Sequence, residues 1–237
     1  MGQILLVRHG QASFASSDYD WLSDIGKDQA RQLGRWLHHC QTPIHHVATG
    51  TMRRHRQTAE CAAEAMTAAG RSEALPTPRH DEAFNEFDHV EIMHRHRPDL
   101  SEPGATKALF DASESPSRTL RHLFSGAMMR WMEGNADHDY QESWPQFSAR
   151  CIAGLTMLAN TVADAETAVL FTSGGFISAV CGNSLGLSVR AIFELNWSLA
   201  NSGVTSFSCH AGRVRLTGLN SVAHLEWNRT PEMITYR

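Results

Sequence analysis

The sequence predicts a three-layer α/β/α fold with a mostly parallel central sheet and an inserted, partly helical cap. Three observations carry this. Short apolar runs alternate with segments of helical period, the pattern of strands linked by helices in a sheet covered on both faces. Several of those runs stop abruptly at polar or glycine-containing loops. Residues from about 89 to 145 carry Pro98, Pro103, Pro116 and Pro145, many polar side chains and no clear strand. We expect one domain over 1–237, with the cap at approximately 89–145.

Residues 3–7 (QILLV) read as a buried strand ending at Arg8, His9 and Gly10. From Ser23, a suitable N-cap, Ile25, Ala30, Leu33 and Leu37 fall on one helical face. Ile44 to Thr49 is the next strand, and Arg54 to about Ala69 an alanine-rich helix closed by Gly70. A turn with prolines follows from Leu75 to Pro78. Helical period returns from Arg150 to Ala163. Ala168–Thr172 reads as a strand and Gly175–Leu185 as a helix. Val204–Cys209 and Arg213–Leu219 read as paired strands turning at Ala211–Gly212.

With 237 residues the chain can bury a sizeable core. Its 42% hydrophobic and 19% charged residues argue against disorder. The 21 basic and 25 acidic residues give a net charge of −4, a poor basis for binding nucleic acid or an acidic membrane. Five cysteines stand at 40, 61, 151, 181 and 209, an odd count without a CxxC spacing. That pattern points to a reducing compartment. The start, MGQILLVRHG, lacks a signal-peptide apolar run, so a cytoplasmic location is expected. The uncharged stretch 167–189 is long enough to span a bilayer, but its four glycines make it a strand, a turn and a buried helix. Two glycosylation patterns, at Asn196 and Asn228, read as chance.

Ligands of open α/β sheets bind at the carboxyl ends of the strands. Three such ends carry suitable residues. At Arg8–His9–Gly10 an imidazole could attack phosphorus while a guanidinium fork neutralises its oxygens and glycine lets the backbone approach. A solvent-facing histidine fits those three residues as well. The stretch 49–59 (TGTMRRHRQTA) puts Arg53, Arg54 and Arg56 at a helix start, where cations oppose the macrodipole unless an anion is bound. For Arg53 and Arg56 a solvated face is the preferred reading. At Thr172–Ser173–Gly174–Gly175 the backbone amides could form an anion nest, or the glycines could serve the turn alone.

In chain order, LLVRHG (5–10), Arg54 with Gln57–Thr58–Ala59, Asn85–Glu86–Phe87–Asp88 and Thr172–Ser173–Gly174–Gly175 resemble the histidine phosphatases, the phosphoglycerate mutase-like superfamily. The stretch Leu22–Leu37 is similar to that family's LSxxGxxQAxxLGxxL helix. The resemblance covers roughly 3–88 and 165–208, leaving the cap unmatched. It implies a phosphomonoester hydrolase working through phosphohistidine on a small phosphorylated substrate, with neither cofactor nor metal. His9 would be the nucleophile, Arg8 and Arg54 would hold the phosphoryl group, and Glu86 would protonate the leaving oxygen. Asp81, Glu82 and Asp88 are rivals for that last role. Gly10, Ser13, Ser173, Gly174 and Gly175 would bind phosphate.

Two departures stand out. The family's second histidine, before the Gly–Gly pair, is Ser173 here, and its Thr and Asn three and six residues after the nucleophile are Ala12 and Ala15, with Ser13, Ser16 and Ser17 nearby. Exchanging a charged donor for a hydroxyl should cost about 1–3 kcal/mol, about ten- to a hundred-fold in rate. That weakens a catalyst without abolishing it. A phosphate-binding or regulatory module without turnover, and a mutase-type phosphotransferase, remain as alternatives. His55, beside Arg54, and His89, His94 and His96, after the acid, could supply a compensating histidine, but exposed or structural histidine is the preferred reading; His38–His39 and His45–His46 are read as unsuited to metal. Arg95 and Arg97 could meet a second acidic group on the substrate, though a solvated helix face is the preferred reading.

Overall fold

The computed structural model describes residues 1–13, 20–102 and 104–236. In chain order its regular elements are β1 (Gly2–Arg8), α1 (Asp24–His39), β2 (His46–Thr49), α2 (Arg53–Ala68), β3 (Arg79–His80), α3 (His89–His96), α4 (Ala105–Asp111) and α5 (Pro116–Met132). There follow α6 (Trp144–Ala159), β4 (Thr167–Thr172), α7 (Gly174–Leu185), α8 (Val189–Ser198), β5 (Val204–His210), β6 (Arg213–Ser221) and α9 (Ala223–Trp227). One sheet runs β3-β2-β4-β1-β5-β6. The first four strands are parallel to their neighbours, and β5 and β6 add an antiparallel margin.

Strand alternation builds the three layers. Ile4, Leu6, Ala168, Leu170 and Phe207 join one core with residues of α5, α6 and α7. Leu5, Val7, Val47, Val169 and Phe171 join the other with residues of α1 and α2. Because β1 and β4 are buried on both faces, they read as continuous apolar runs. Helix α1 starts at Ser23, whose hydroxyl accepts the Gly26 amide at 3.1 Å. Ile25 is exposed at 44%, and the buried stripe runs instead through Gly26, Gln29, Ala30, Leu33, Gly34 and Leu37. The β5–β6 hairpin turns at Ala211 and Gly212, both with positive φ (47° and 74°), the geometry that matches strand twist.

Proline positions explain two boundaries. Pro145 lies in the first turn of α6, where its missing N–H costs nothing, and Ser143 and Gln146 close a reciprocal cap. Helix α6 therefore starts six residues before Arg150. Pro116 opens α5 in the same way. The segment from α3 to α5 is helical, and its Ile92, Phe124, Met128 and Trp131 belong to the same core as α6 and α7. Among the described residues no helix is long and apolar enough to cross a membrane; 167–189 is largely β4 and the buried α7.

Strands β1 and β4 are adjacent and parallel, with Arg8 opposite Thr172. The chain leaves β1 for α1 on one face and leaves β4 for α7 on the other. A crevice opens at such a switch point, and His9 and Ser173 stand at its two lips.

Candidate active site

His9 follows β1 directly. Its amide donates to Thr172 O (2.8 Å), and its carbonyl accepts from Ser202 N (3.2 Å) and Asn201 Nδ2 (3.3 Å). These bonds fix the backbone that carries the ring. Its Nδ1 is 2.7 Å from Gly10 O. A carbonyl only accepts, so Nδ1 holds the proton and Nε2 the lone pair. Burial, then the charges of Arg54 and Arg8 and the His55 ring, hold its pKa well below 6.5. The imidazole is neutral and nucleophilic at neutral pH.

Two buried arginines flank it. Arg8 is anchored through Nη1 on the carbonyls of Leu199 and Tyr236, the latter at 3.1 Å. Arg54, in the first turn of α2, meets Asp20 Oδ1 through Nη1 (3.0 Å), while Asp20 Oδ2 accepts Arg53 N (2.8 Å). The cationic helix start thus has an internal anion at its amides, which eases the conflict with the macrodipole. Arg53 and Arg56 are exposed, Arg53 lying 5.0 Å over the Trp21 ring. Thr58 ties helix to strand: it accepts Gly10 N at 3.1 Å and donates to Arg54 O at 2.6 Å.

Glu86 arrives from the loop after β3. Its Oε2 accepts Gly175 N at 3.1 Å, and its Oε1 accepts its neighbour Phe87 N at 3.3 Å. Burial raises its pKa above the usual 4.5, opposed by the Gly175 amide and by Arg54 and Arg8. The rival carboxylates are engaged elsewhere or exposed. Asp81 pairs with Arg79 and accepts Ala83 N, Asp88 caps α3, and Glu82 is exposed. The Glu86 loop is clamped by Arg150, whose Nη1 donates to the carbonyls of Glu82, Ala83 and Asn85 (3.1–3.2 Å). Arg150 Nε and Nη2 grip Glu142 at 2.6 and 2.8 Å. A cavity of about 300 Å3 opens beside Glu86, lined among others by Asp88, Ile92, Trp131 and Arg150.

The glycines serve packing. A Cβ on Gly10 would lie 2.3 Å from Gly26 O, so this glycine lets α1 close onto β1, and its amide goes to Thr58. A Cβ on Gly175 would lie 2.0 Å from Glu86 Oε1, so Gly175 gives the carboxyl its seat. One on Gly174 would lie 2.4 Å from Asn196 Oδ1. Ser13 is held by its amide on Trp21 O (2.7 Å). Ala15, Ser16 and Ser17 lie outside the described residues.

Asp20, Asn196 and Asn201 escape the sequence reading, Thr58 enters it only within a motif, and His55 only among histidines set aside as exposed or structural. Asp20, Thr58 and Asn201 have the contacts given above. Asn196, whose glycosylation pattern reads as chance, is buried against Gly174. His55 is completely buried, its ring 5.7 Å from that of His9 and its Nε2 2.6 Å from Ser173 Oγ. The position of His55 beside Arg54 was the one available signal, and 14 histidines made it a weak one. Elsewhere, Arg97 pairs with Asp99 and Arg95 with Glu91. His46 meets Glu166, and His45 Nδ1 accepts Thr167 N. Among the described residues no group of three or more His, Cys, Asp or Glu is arranged to hold a metal ion.

Comparison with solved structures gives the same fold. Phosphoserine phosphatase from Entamoeba histolytica, a mutant with phosphoserine bound, superposes with a TM-score of 0.61 at 17% identity, covering 95% of this chain and 100% of that one. A phosphoglycerate mutase from Bacillus anthracis str. Sterne gives 0.63 at 13%, covering 96% of each. A mycobacterial glucosyl-3-phosphoglycerate phosphatase gives 0.55 at 23%, covering 92% and 98%. A search of curated protein sequences gives no match. Residues 4–118 and 110–222 match the Histidine phosphatase superfamily (branch 1), most of the chain and all the strand ends that carry this site, and the chain belongs to that superfamily.

Proposed function

We propose that this protein hydrolyses phosphate monoesters of small molecules through a phosphohistidine at His9. The observation that carries the reading is the His9 imidazole, held by Gly10 O so that Nε2 keeps its lone pair, and kept neutral by burial and two arginines. A dianionic phosphoryl group entering the crevice would meet the guanidinium groups of Arg8 and Arg54 and the Ser173 turn at the start of α7. Nε2 attacks phosphorus, the P–O ester bond breaks, and the departing alkoxide takes the Glu86 proton. Water then attacks the phosphohistidine and gives its proton to the Glu86 carboxylate. The P–N bond breaks, the lone pair returns to Nε2, and inorganic phosphate leaves. The work is positioning and charge stabilisation, as phosphoryl transfer requires.

Segment 89–145 is read as the cap. Its Ile92 and Trp131 and the neighbouring Asp88 line the cavity beside the proton donor, which is where a leaving group would lie. Ser173 takes the place of the family's second histidine, and Gly174 shapes the same turn. The roles of Gly10 and Gly175 are supporting ones: each seats another residue of the site.

The test is p-nitrophenyl phosphate hydrolysis by the wild type and His9→Ala, with rapid quenching for acid-labile phosphoprotein. We expect a burst of phosphoenzyme followed by steady phosphate release, both absent from the variant. Equal inertness of the two proteins over a broad phosphate-ester panel would refute turnover. A phosphoenzyme that forms but releases phosphate slowly would favour a phosphotransferase.

A further inference from the structure

We propose that His55 and Ser173 act as one unit that replaces the family's second histidine: Ser173 donates its hydroxyl hydrogen to the phosphoryl group, and His55 holds the hydroxyl in place for that purpose. Three observations support it. Ser173 sits at the N-cap of α7 with the extended backbone of a capping residue, yet its side chain makes no capping bond. A serine in that position ordinarily stabilises its helix by accepting one of the first amides. Here the hydroxyl turns to His55 Nε2 at 2.6 Å, and the capping role it gives up passes in part to Glu86, whose carboxylate accepts the Gly175 amide at 3.1 Å.

The second observation is the state of His55. The ring is fully buried, and its Nδ1 is packed on the Gly50 backbone, where a Cβ would come within 2.2 Å. Nδ1 has no hydrogen-bond partner among the described residues. A neutral imidazole has one N–H and one bare nitrogen, and a buried orphan N–H is the rarer arrangement. The proton therefore belongs on Nε2, which donates to Ser173 Oγ. The serine must then spend its own hydrogen elsewhere. Burial and the Arg54 charge keep His55 neutral, in keeping with this assignment.

The third observation is position. Ser173 follows Thr172, whose carbonyl holds the His9 amide, and the His55 and His9 rings are 5.7 Å apart. The buried hydroxyl thus lies next to the His9 backbone, on the side of the crevice where the proposal seats the phosphoryl group. Ser173 is the catalytic residue of the unit; His55 is a positioning residue.

The inference rests on the hydrolase reading for its rate assay but not for its binding assay, so the two can fail separately. In the first assay kcat and KM for p-nitrophenyl phosphate are measured for His55→Ala, Ser173→Ala, the double alanine variant, and a swap combining His55→Ala with Ser173→His. Each single change should lower kcat/KM about a hundred-fold, mostly in kcat, because the donor acts most strongly on the transition state. The double alanine variant should lose the same hundred-fold and not its square. The swap should return to within about ten-fold of the wild type, which a merely structural His55 would not produce. Multiplying losses, an unaffected single variant, or a swap no better than His55→Ala overturns the proposal. If His55→Ala does not fold, Ser173→Ala with His55→Gln, which keeps a donor, completes the cycle. The second assay measures orthovanadate affinity of the same proteins by calorimetry. Coupled, non-multiplying losses support the unit even if no ester is turned over; unchanged affinity in both single variants overturns it.

Discussion

The two imidazoles of this site are positioned by different means. The His9 ring is set by its place at the end of β1 and by the carbonyl of the very next residue, which fixes its proton. His55 is placed by the tertiary fold, through a serine 118 residues away and a glycine backbone on which it packs. Burial drives both pKa values down. The strand-borne ring nevertheless has its outward nitrogen bare, and the helix-borne ring has its outward nitrogen bonded. In the proposed chemistry one gives electrons to phosphorus and the other orients a donor. Identical chemistry of the side chain thus yields opposite roles, and the difference lies in which nitrogen the protein engages.

The sharpest way to break this comparison is to remove the bare nitrogen. His9→Ala should lower kcat/KM by about 10⁴-fold or more, the scale seen when a nucleophile acting within a catalytic unit is lost. His55→Ala should fall well short of that. Comparable losses in the two variants would erase the distinction.

Glu86→Gln comes next, with a loss of about 10²–10⁴ on an alkyl phosphate, whose alkoxide needs a proton. On p-nitrophenyl phosphate, whose leaving anion needs none, the loss should be much smaller. The pH dependence follows from the raised pKa of this carboxyl. Turnover of the alkyl ester should fall as pH rises through that pKa, and Glu86→Gln should lack this basic limb. Stability has the same sign. Folded Glu86 keeps its proton to higher pH than the unfolded chain does, so its contribution is present below pH 4.5 and is lost as pH rises through the folded pKa. Thermal melting across that window should show a slope in the wild type that Glu86→Gln flattens.

Arg150→Met tests the seat of that acid. It would strip partners from Glu142 and from three carbonyls of the Glu86 loop. Allowing for partial exposure, we expect about 1–3 kcal/mol of stability lost in urea titration, with a fall in kcat that exceeds any rise in KM. Gly10→Ala acts on the other half, forcing a Cβ against Gly26 O, and should cost about 1–3 kcal/mol by the same titration.

What the sequence made legible follows the same division between local and tertiary placement. Strand β1 and the RHG turn could be read because a buried parallel strand is an apolar run and its end is marked by charge and glycine. The expected layers follow for the same reason, as do the helices with clear periods. Ile25 misled because period alone does not reveal which stripe must pack, and here two glycines set it by letting backbones touch. Pro145 misled because a proline that ends one segment also starts a helix well. Asp20, His55, Asn196 and Arg150 were illegible because each contributes through a partner distant in the chain. His55 shows the limit most clearly: its residue type was in view, but its burial and its bond to Ser173 exist only once α2 and β4 lie side by side.

The smallest effect belongs to the arginines on and just beyond α3. Arg95 and Arg97 are the sequence's candidates for a second acidic group on the substrate. In the structure Arg97 grips Asp99 through two nitrogens, and Arg95 reaches Glu91 at 3.5 Å, with both arginine side chains about half in solvent. Exposed pairs of this kind lose little when broken, because water and salt already screen them. Arg95→Ala and Arg97→Ala should therefore leave kcat, KM and Tm within error on a substrate with one acidic group. On a panel that includes esters with a second carboxylate or phosphate, a rise in KM confined to those doubly acidic substrates would move this face from solvated surface into the binding site. It would also extend the helix-borne half of the comparison beyond the phosphoryl group to the rest of the substrate.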